Sequence, residues 1–244
     1  VLFRSRALGV LEAGWRLAEG FESPVAECAF LTGFYYCHYL RGDLGTAFAD
    51  AERVVAAAGA LNALYWRIGP CIGVSDLYLH LGELDTAAAL LEHAVQLSRE
   101  GGVKALFARA TLRLGWLRLA GGDAAGALAV VDSASSQGPV EHLEDLAGLD
   151  RVRAQAQFAL GDAAGALATL AGHDGAPTLE VWALMLALRL DAGRALGTDT
   201  APDVKRALAV VGDRRLPALE GLVLQRSLVH ALRVLGRAAR SEEH

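Results

Sequence analysis

The chain has 244 residues, 53% of them hydrophobic and 21% charged, with a formal net charge of -5; it can bury a continuous core and is too apolar to stay disordered. The negative balance offers no basic surplus for direct nucleic-acid binding or for an anionic membrane, and no apolar run reaches the ~20 residues that span a bilayer. Cys28, Cys37 and Cys71 are odd in number and lack C-x-x-C spacing, which excludes a disulfide framework and fits buried, reduced thiols in a cytoplasmic protein.

Both ends read as foreign. Val1-Leu2-Phe3-Arg4-Ser5 back-translates to GTG CTC TTC CGA TCT, and Arg240-Ser241-Glu242-Glu243-His244 to the reverse complement of that string, as read-through into a sequencing adapter would give. Residues 1–5 and 240–244 are therefore set aside. Without an initiating Met, residues 6–239 read as a single repeat domain, an internal fragment of a longer protein. Removing the pentapeptides takes away two Arg and two Glu and leaves the charge unchanged.

In chain order, helices are expected at about 7–19, 24–41, 44–58, 61–81, 85–100, 103–121, 124–135, 140–160, 163–171, 177–193, 202–211 and 216–235, with no strand. Gly69-Pro70, with Gly73 beyond, should kink or interrupt the helix it falls in. Gly138-Pro139, Ala176-Pro177 and Leu216-Pro217 fall at helix starts, where Pro is tolerated. Leu84, Ala87, Ala88, Leu91, Ala94 and Val95 form one apolar stripe, with Glu92, His93, Gln96 and Arg99 facing away. Phe107, Ala110, Leu114 and Leu117 form the next.

The octapeptide Gly122 to Ala129 recurs residue for residue as Gly161 to Ala168. Its acidic mark falls also at Asp43, Glu83 and Asp203, giving spacings of 40, 40, 39 and 41 through Asp123 and Asp162. Four residues after each mark stands an alanine: Ala47, Ala87, Ala127, Ala166 and Ala207. A small residue fixed at one point of every unit means that two helices approach closely there. Gly42-Asp43, Gly122-Asp123 and Gly161-Asp162 suit tight helical-hairpin turns, the Gly closing one helix and the Asp capping the next. Such pairs cannot bury both faces alone and must stack.

Leu114-Gly115, Gly122-Asp123 and Ala127 are spaced so that the chain resembles the tetratricopeptide repeat over nearly all of residues 6–239. Two departures stand out: the period is near forty, and Arg153-Ala154 replaces Leu-Gly in the fourth unit. The longer helices, and the closing Leu216-Pro217-Ala218-Leu219-Glu220 with Leu235-Gly236-Arg237, are similar to the repeats of large bacterial signal-transduction ATPases, including LuxR-type transcriptional regulators and kinase or cyclase fusions. The resemblance implies an all-α, right-handed superhelical solenoid of antiparallel helix pairs. It implies a non-catalytic sensor or interaction arm whose output is decided by other domains of the same parent chain. A stand-alone adaptor or co-chaperone binding peptide segments is the alternative, and an α/α-helical enzyme a remote one.

In tetratricopeptide proteins the first helices line a concave groove, and that register places Tyr36, Tyr39, Asp76, Arg109, Arg113, Trp116, Arg151 and Gln155 on it. Three arginines with aromatic anchors suit a protein or peptide segment of acidic character, or a small anionic effector. The bland alternative is a solvated helix face with aromatics filling gaps. Tyr35 is anomalous, standing where other units have Ser75, Gly115 and Ala154; it either splays a helix pair or leaves a cavity. With Trp66 and Tyr78 it makes the N-terminal third the most aromatic, as a pocket or as core.

No cofactor, metal or catalytic site is expected. His38, His80, His93, His142, His173 and His230 lack metal-ligand spacing, and no Ser or Cys has a nucleophile signature. Gly101-Gly102 and Gly121-Gly122 lack the Lys and hydroxyl of a phosphate loop. Glu141 and Glu144-Asp145 suit a helix N-terminus.

Overall fold

The computed structural model describes residues 2–18, 23–135, 140, 142–173, 177–213, 215–216 and 218–242. Among them the chain forms twelve α-helices and no strand: α1 (Leu2–Ala18), α2 (Pro24–Arg41), α3 (Leu44–Gly59), α4 (Leu64–Leu81), α5 (Leu84–Glu100), α6 (Lys104–Ala120), α7 (Ala124–Ser135), α8 (Leu143–Ala159), α9 (Ala163–Leu170), α10 (Leu179–Leu196), α11 (Ala201–Val211) and α12 (Ala218–Glu242). They divide into two compact units, up to Leu117 and from Arg118 on. Gly138, Pro139, Glu141, Ala176 and Pro217 lie outside the described residues.

The octapeptide builds the hairpin turn. Gly42, Gly82, Gly122 and Gly161 all take positive φ, between 79 and 88°, where a Cβ would be strained. After Gly122, the N–H of Asp123 donates back to the Arg118 carbonyl at 2.8 Å. The Asp123 carboxylate then accepts from the N–H of Gly126 at 2.8 Å, and Asp162 accepts from Gly165 likewise. Each acid thus closes one helix through its backbone and opens the next through its side chain. The carboxylate leans across the following glycine: a Cβ on Gly165 would stand 2.1 Å from Asp162 Oδ2.

Two of the five marks depart. Glu83 starts α5 without a side-chain cap, and Asp203 is not a cap at all, because Thr200 holds that position before α11. Asp203 instead pairs with Arg189 of α10 at 3.0 Å and Arg206 at 3.1 Å. Arg189 also donates to the Leu170 carbonyl at the end of α9 at 3.2 Å. α10 continues past Gly193, which serves as a close approach where a Cβ would meet Thr200 at 2.8 Å. It ends at Gly197 with φ 68°.

All five recurrent alanines are fully buried, Ala47, Ala87, Ala127, Ala166 and Ala207 each at 0% exposure. Among the described residues the first unit packs two core clusters, the first of them around Ala47. Cys28, Leu31 and Tyr35 of α2 meet Ala47, Ala51 and Val54 of α3 and Val74 and Leu77 of α4; Ile68, Cys71 and Ile72 of α4 meet Ala94 of α5 and Leu106 and Ala110 of α6. Burial raises the pKa of the Cys28 and Cys71 thiols, and all three cysteines are free. Arg99, expected to face away, stacks over Phe107 at 5.3 Å, and Leu84, expected in the apolar stripe, is largely exposed at the start of α5.

α4 is not interrupted at Gly69-Pro70 but runs from Leu64 to Leu81 with Pro70 buried inside it. The steric cost of a helical residue before Pro falls on its Cβ, and Gly69 has none.

In the second unit, Ala147 and Ala154 of α8 pack with Ala166 and Leu170 of α9 and Met185 of α10. Leu186 and Leu190 of α10 pack with Ala207 of α11 and Leu224, Leu228 and Ala231 of α12. Arg153 joins Asp132 of α7 to Asp150 of α8, and Asp150 also holds His173 at 3.1 Å. Glu144 and Asp145 stand in the first turn of α8.

Candidate functional site

Within the first unit, α2, α4 and α6 bring together Tyr36, Tyr39, Asp76 and Arg113. Tyr36 is 53% exposed, and its ring lies 6.4 Å from that of Tyr39. Tyr39 in turn lies 5.5 Å from the ring of His80. The Tyr39 hydroxyl is 2.9 Å from His80 Nδ1. The same nitrogen bonds the Asp76 backbone carbonyl. A carbonyl only accepts, so Nδ1 carries the proton and Tyr39 takes a share of it as acceptor. The phenolic proton of Tyr39 is then not donated to His80.

Asp76 Oδ2 stands 3.4 Å from Arg113 Nη2, across α4 and α6. Burial raises the Asp76 pKa above the usual carboxylate range, against the opposing pull of Arg113 and His80. Burial, then the nearby Asp76 charge, raises the Tyr39 pKa as well. Arg113 Nε is buried and has no hydrogen-bond partner among the described residues.

Tyr35 forms the floor beside this cluster. It is 3% exposed and contacts Tyr36 edge to face at 6.0 Å. Burial first, then Asp76, drives its pKa well above that of an ordinary phenol. The anomaly at this position is met by Gly73, whose missing Cβ makes room for the Tyr35 hydroxyl. Trp66 and Tyr78 pack against the adjoining core, which makes the aromatic third largely core.

Arg109 and Trp116 lie on α6 and are exposed, Arg109 one turn before Arg113. Arg151 and Gln155 belong to the second unit. Arg151 is only 7% exposed, and its Nη1 donates to Gln155 Oε1 at 3.4 Å. A long side chain four residues from a polar partner folds along its own helix. His80 was not among the residues picked from sequence, although its place four residues after Asp76 puts both on one helical face.

Among the described residues, no group of His, Cys, Asp and Glu could hold a metal ion, and no helix is long and apolar enough to cross a membrane.

No family model matches the chain, and no curated protein does. Solved structures do. BtubC (BKLC) from P. vanneervenii is 17% identical with a TM-score of 0.62, over 100% of this chain and 91% of that one. A Podosopora anserina protein of nearly identical TPR-like repeats, of kinesin-light-chain type, is 17% identical with a TM-score of 0.58, over 89% and 100%. The Rap conjugation gene regulator of plasmid pLS20, in complex with the Phr* peptide, is 15% identical with a TM-score of 0.51, over 97% and 72%. These likenesses show the fold: the chain is an all-α helical-repeat protein built like the tetratricopeptide repeats.

Proposed function

We propose that this chain is a non-catalytic recognition arm, and that the face formed by α2, α4 and α6 binds an acidic protein or peptide segment. The observation that carries this reading is the convergence of the Tyr39 hydroxyl and the Arg113 guanidinium beside exposed rings. The Tyr39 hydroxyl has its proton available because His80 supplies the bond it accepts. Among the described residues Arg113 makes one long ion-pair contact. Tyr36 of α2 and Trp116 of α6 add exposed aromatic surface. Carboxylates are acceptors only, so they suit such a set of donors, and rigid rings supply contact area at small entropic cost. That one structural neighbour holds a peptide supports a peptide ligand for this fold.

The wider setting we propose is a multidomain bacterial signalling ATPase or transcriptional regulator, acting in the cytoplasm, with these repeats as its sensor. Sequencing the parent gene beyond both ends tests that setting: an adjoining ATPase module supports it, and a complete short gene makes the chain a stand-alone adaptor.

Binding is tested with an array of acidic, neutral and basic peptides probed by the wild-type chain and by Arg113→Gln. Retention of acidic peptides by the wild type and their loss in the variant is the expected result. Equal retention of all three classes would overturn the reading.

A further inference from the structure

The Asp76–Arg113 pair, at 3.4 Å, is longer than the His38–Asp50, Arg153–Asp132 and Arg189–Asp203 pairs that also join two helices. Among the described residues only pairs within one helix, Arg53–Asp50 and Arg194–Asp191, are as long or longer. Arg189 and Asp203 meet at 3.0 Å with side chains 16% and 13% exposed, and Arg153 and Asp132 meet at 2.8 Å. These lengths approach the 2.7–2.9 Å of a charge-assisted hydrogen bond. Asp76 and Arg113 touch at one point, 3.4 Å apart, with side chains 34% and 41% exposed. The pair is also poorly repaid: Arg113 does not bring the Asp76 pKa back to the usual range, and Arg113 Nε stays unmet. A structural ion pair gains from short, multiple contacts, and this one has neither. It lies beside the exposed ring of Tyr36 and the half-buried ring of Tyr39.

We propose that Asp76 is a built-in competitor for Arg113. In the free protein its carboxylate stands in for an acidic side chain of the partner, and binding exchanges one carboxylate for the other. The inference rests on the acidic-segment reading above. Its consequence is selectivity. A ligand with one weakly placed carboxylate gains little by displacing Asp76, whereas a segment that also engages the Tyr39 hydroxyl and the rings gains enough to open the pair. Asp76 therefore acts as a specificity-determining residue rather than as a contact for the ligand.

The test is calorimetric titration of an acetylated hexaglutamate peptide into the full chain, with hexaglutamine as control. The proteins are the wild type, Asp76→Asn, Arg113→Gln and the double variant, each checked by thermal unfolding; Asp76→Ala serves if the Asn variant does not fold. Removing the competitor should tighten hexaglutamate binding about fivefold, the factor that corresponds to an exposed ion pair of roughly 1 kcal/mol. The gain should vanish when Arg113 is Gln, because nothing is then left to compete for. A gain that persists in the double variant would overturn the proposal, since it would reflect only the loss of a negative charge. Weaker binding by Asp76→Asn, with wild-type binding intact, would make Asp76 a ligand contact and leave the acidic reading standing. Failure of the wild type to prefer hexaglutamate over hexaglutamine would sink the acidic reading itself, and this inference with it.

Discussion

The hydroxyl of Tyr35 on α2 rests against Gly73 on α4, its oxygen 3.1 Å from the point where a Cβ of residue 73 would stand. A tyrosine at a position that is small in the other units is accommodated because its neighbour has surrendered a side chain. Restoring one should crowd the ring. Gly73→Val is expected to destabilise the first unit by about 1–3 kcal/mol, read by urea unfolding. A variant as stable as the wild type would mean that the ring has room to move.

The alanine four residues after each acidic mark is fully buried in every unit, as a close approach of two helices requires. Ala127 has no exposed surface, and Ala127→Leu is expected to cost about 1–3 kcal/mol by overpacking. Thermal unfolding checks it, and an unchanged midpoint would refute the close-approach argument.

Asp162 caps α9, one of the shortest helices, by accepting from the Gly165 N–H at 2.8 Å. Asp162→Ala is expected to cost about 1 kcal/mol. Gly165→Ala should act on the same bond from the other side, because its Cβ would displace the carboxylate. If capping is the shared cause, the double variant loses less than the sum of the two singles. Additive losses would separate the effects.

The half-buried Asp76 carboxyl, its pKa raised by desolvation above the usual carboxylate range, gives a pH dependence of definite sign. The folded state binds this proton more readily than the unfolded state does. The cost of burying the charge is therefore fully present above the folded pKa and is relieved as pH falls through it towards the unfolded value. Asp76→Asn carries no such charge. Its stability relative to the wild type should be greatest at neutral pH and should shrink on acidification towards pH 4, about the unfolded value. A difference that grows on acidification would contradict the assignment.

The repeat architecture was legible because it is written in residues with little conformational choice. Glycines that take positive φ, an aspartate that caps and an alanine that permits close approach mark the turns at Gly42, Gly122 and Gly161 whatever surrounds them. The site was legible only in part. α4 buries Ile68, Cys71, Ile72, Val74 and Leu77 around most of its circumference, so no single apolar stripe shows which residues face α2 and which face α6. That is why His80 was passed over; Arg151, on α8 of the second unit, is buried along its own helix. Asp203 misled for a related reason: the loop before α11 shifts the cap to Thr200, and spacing alone carries no record of that shift. The proposed recognition surface depends on pairings between helices some forty residues apart, such as Tyr39 with His80 and Asp76 with Arg113.

The central claim is that an acidic segment binds across α2, α4 and α6. Amide chemical-shift mapping during titration with the hexaglutamate peptide tests it most directly. The account predicts perturbations centred on Tyr36, Tyr39, Asp76, His80 and Arg113, lost in Arg113→Gln. Perturbations confined to α3 and α5, or to the second unit, would contradict it.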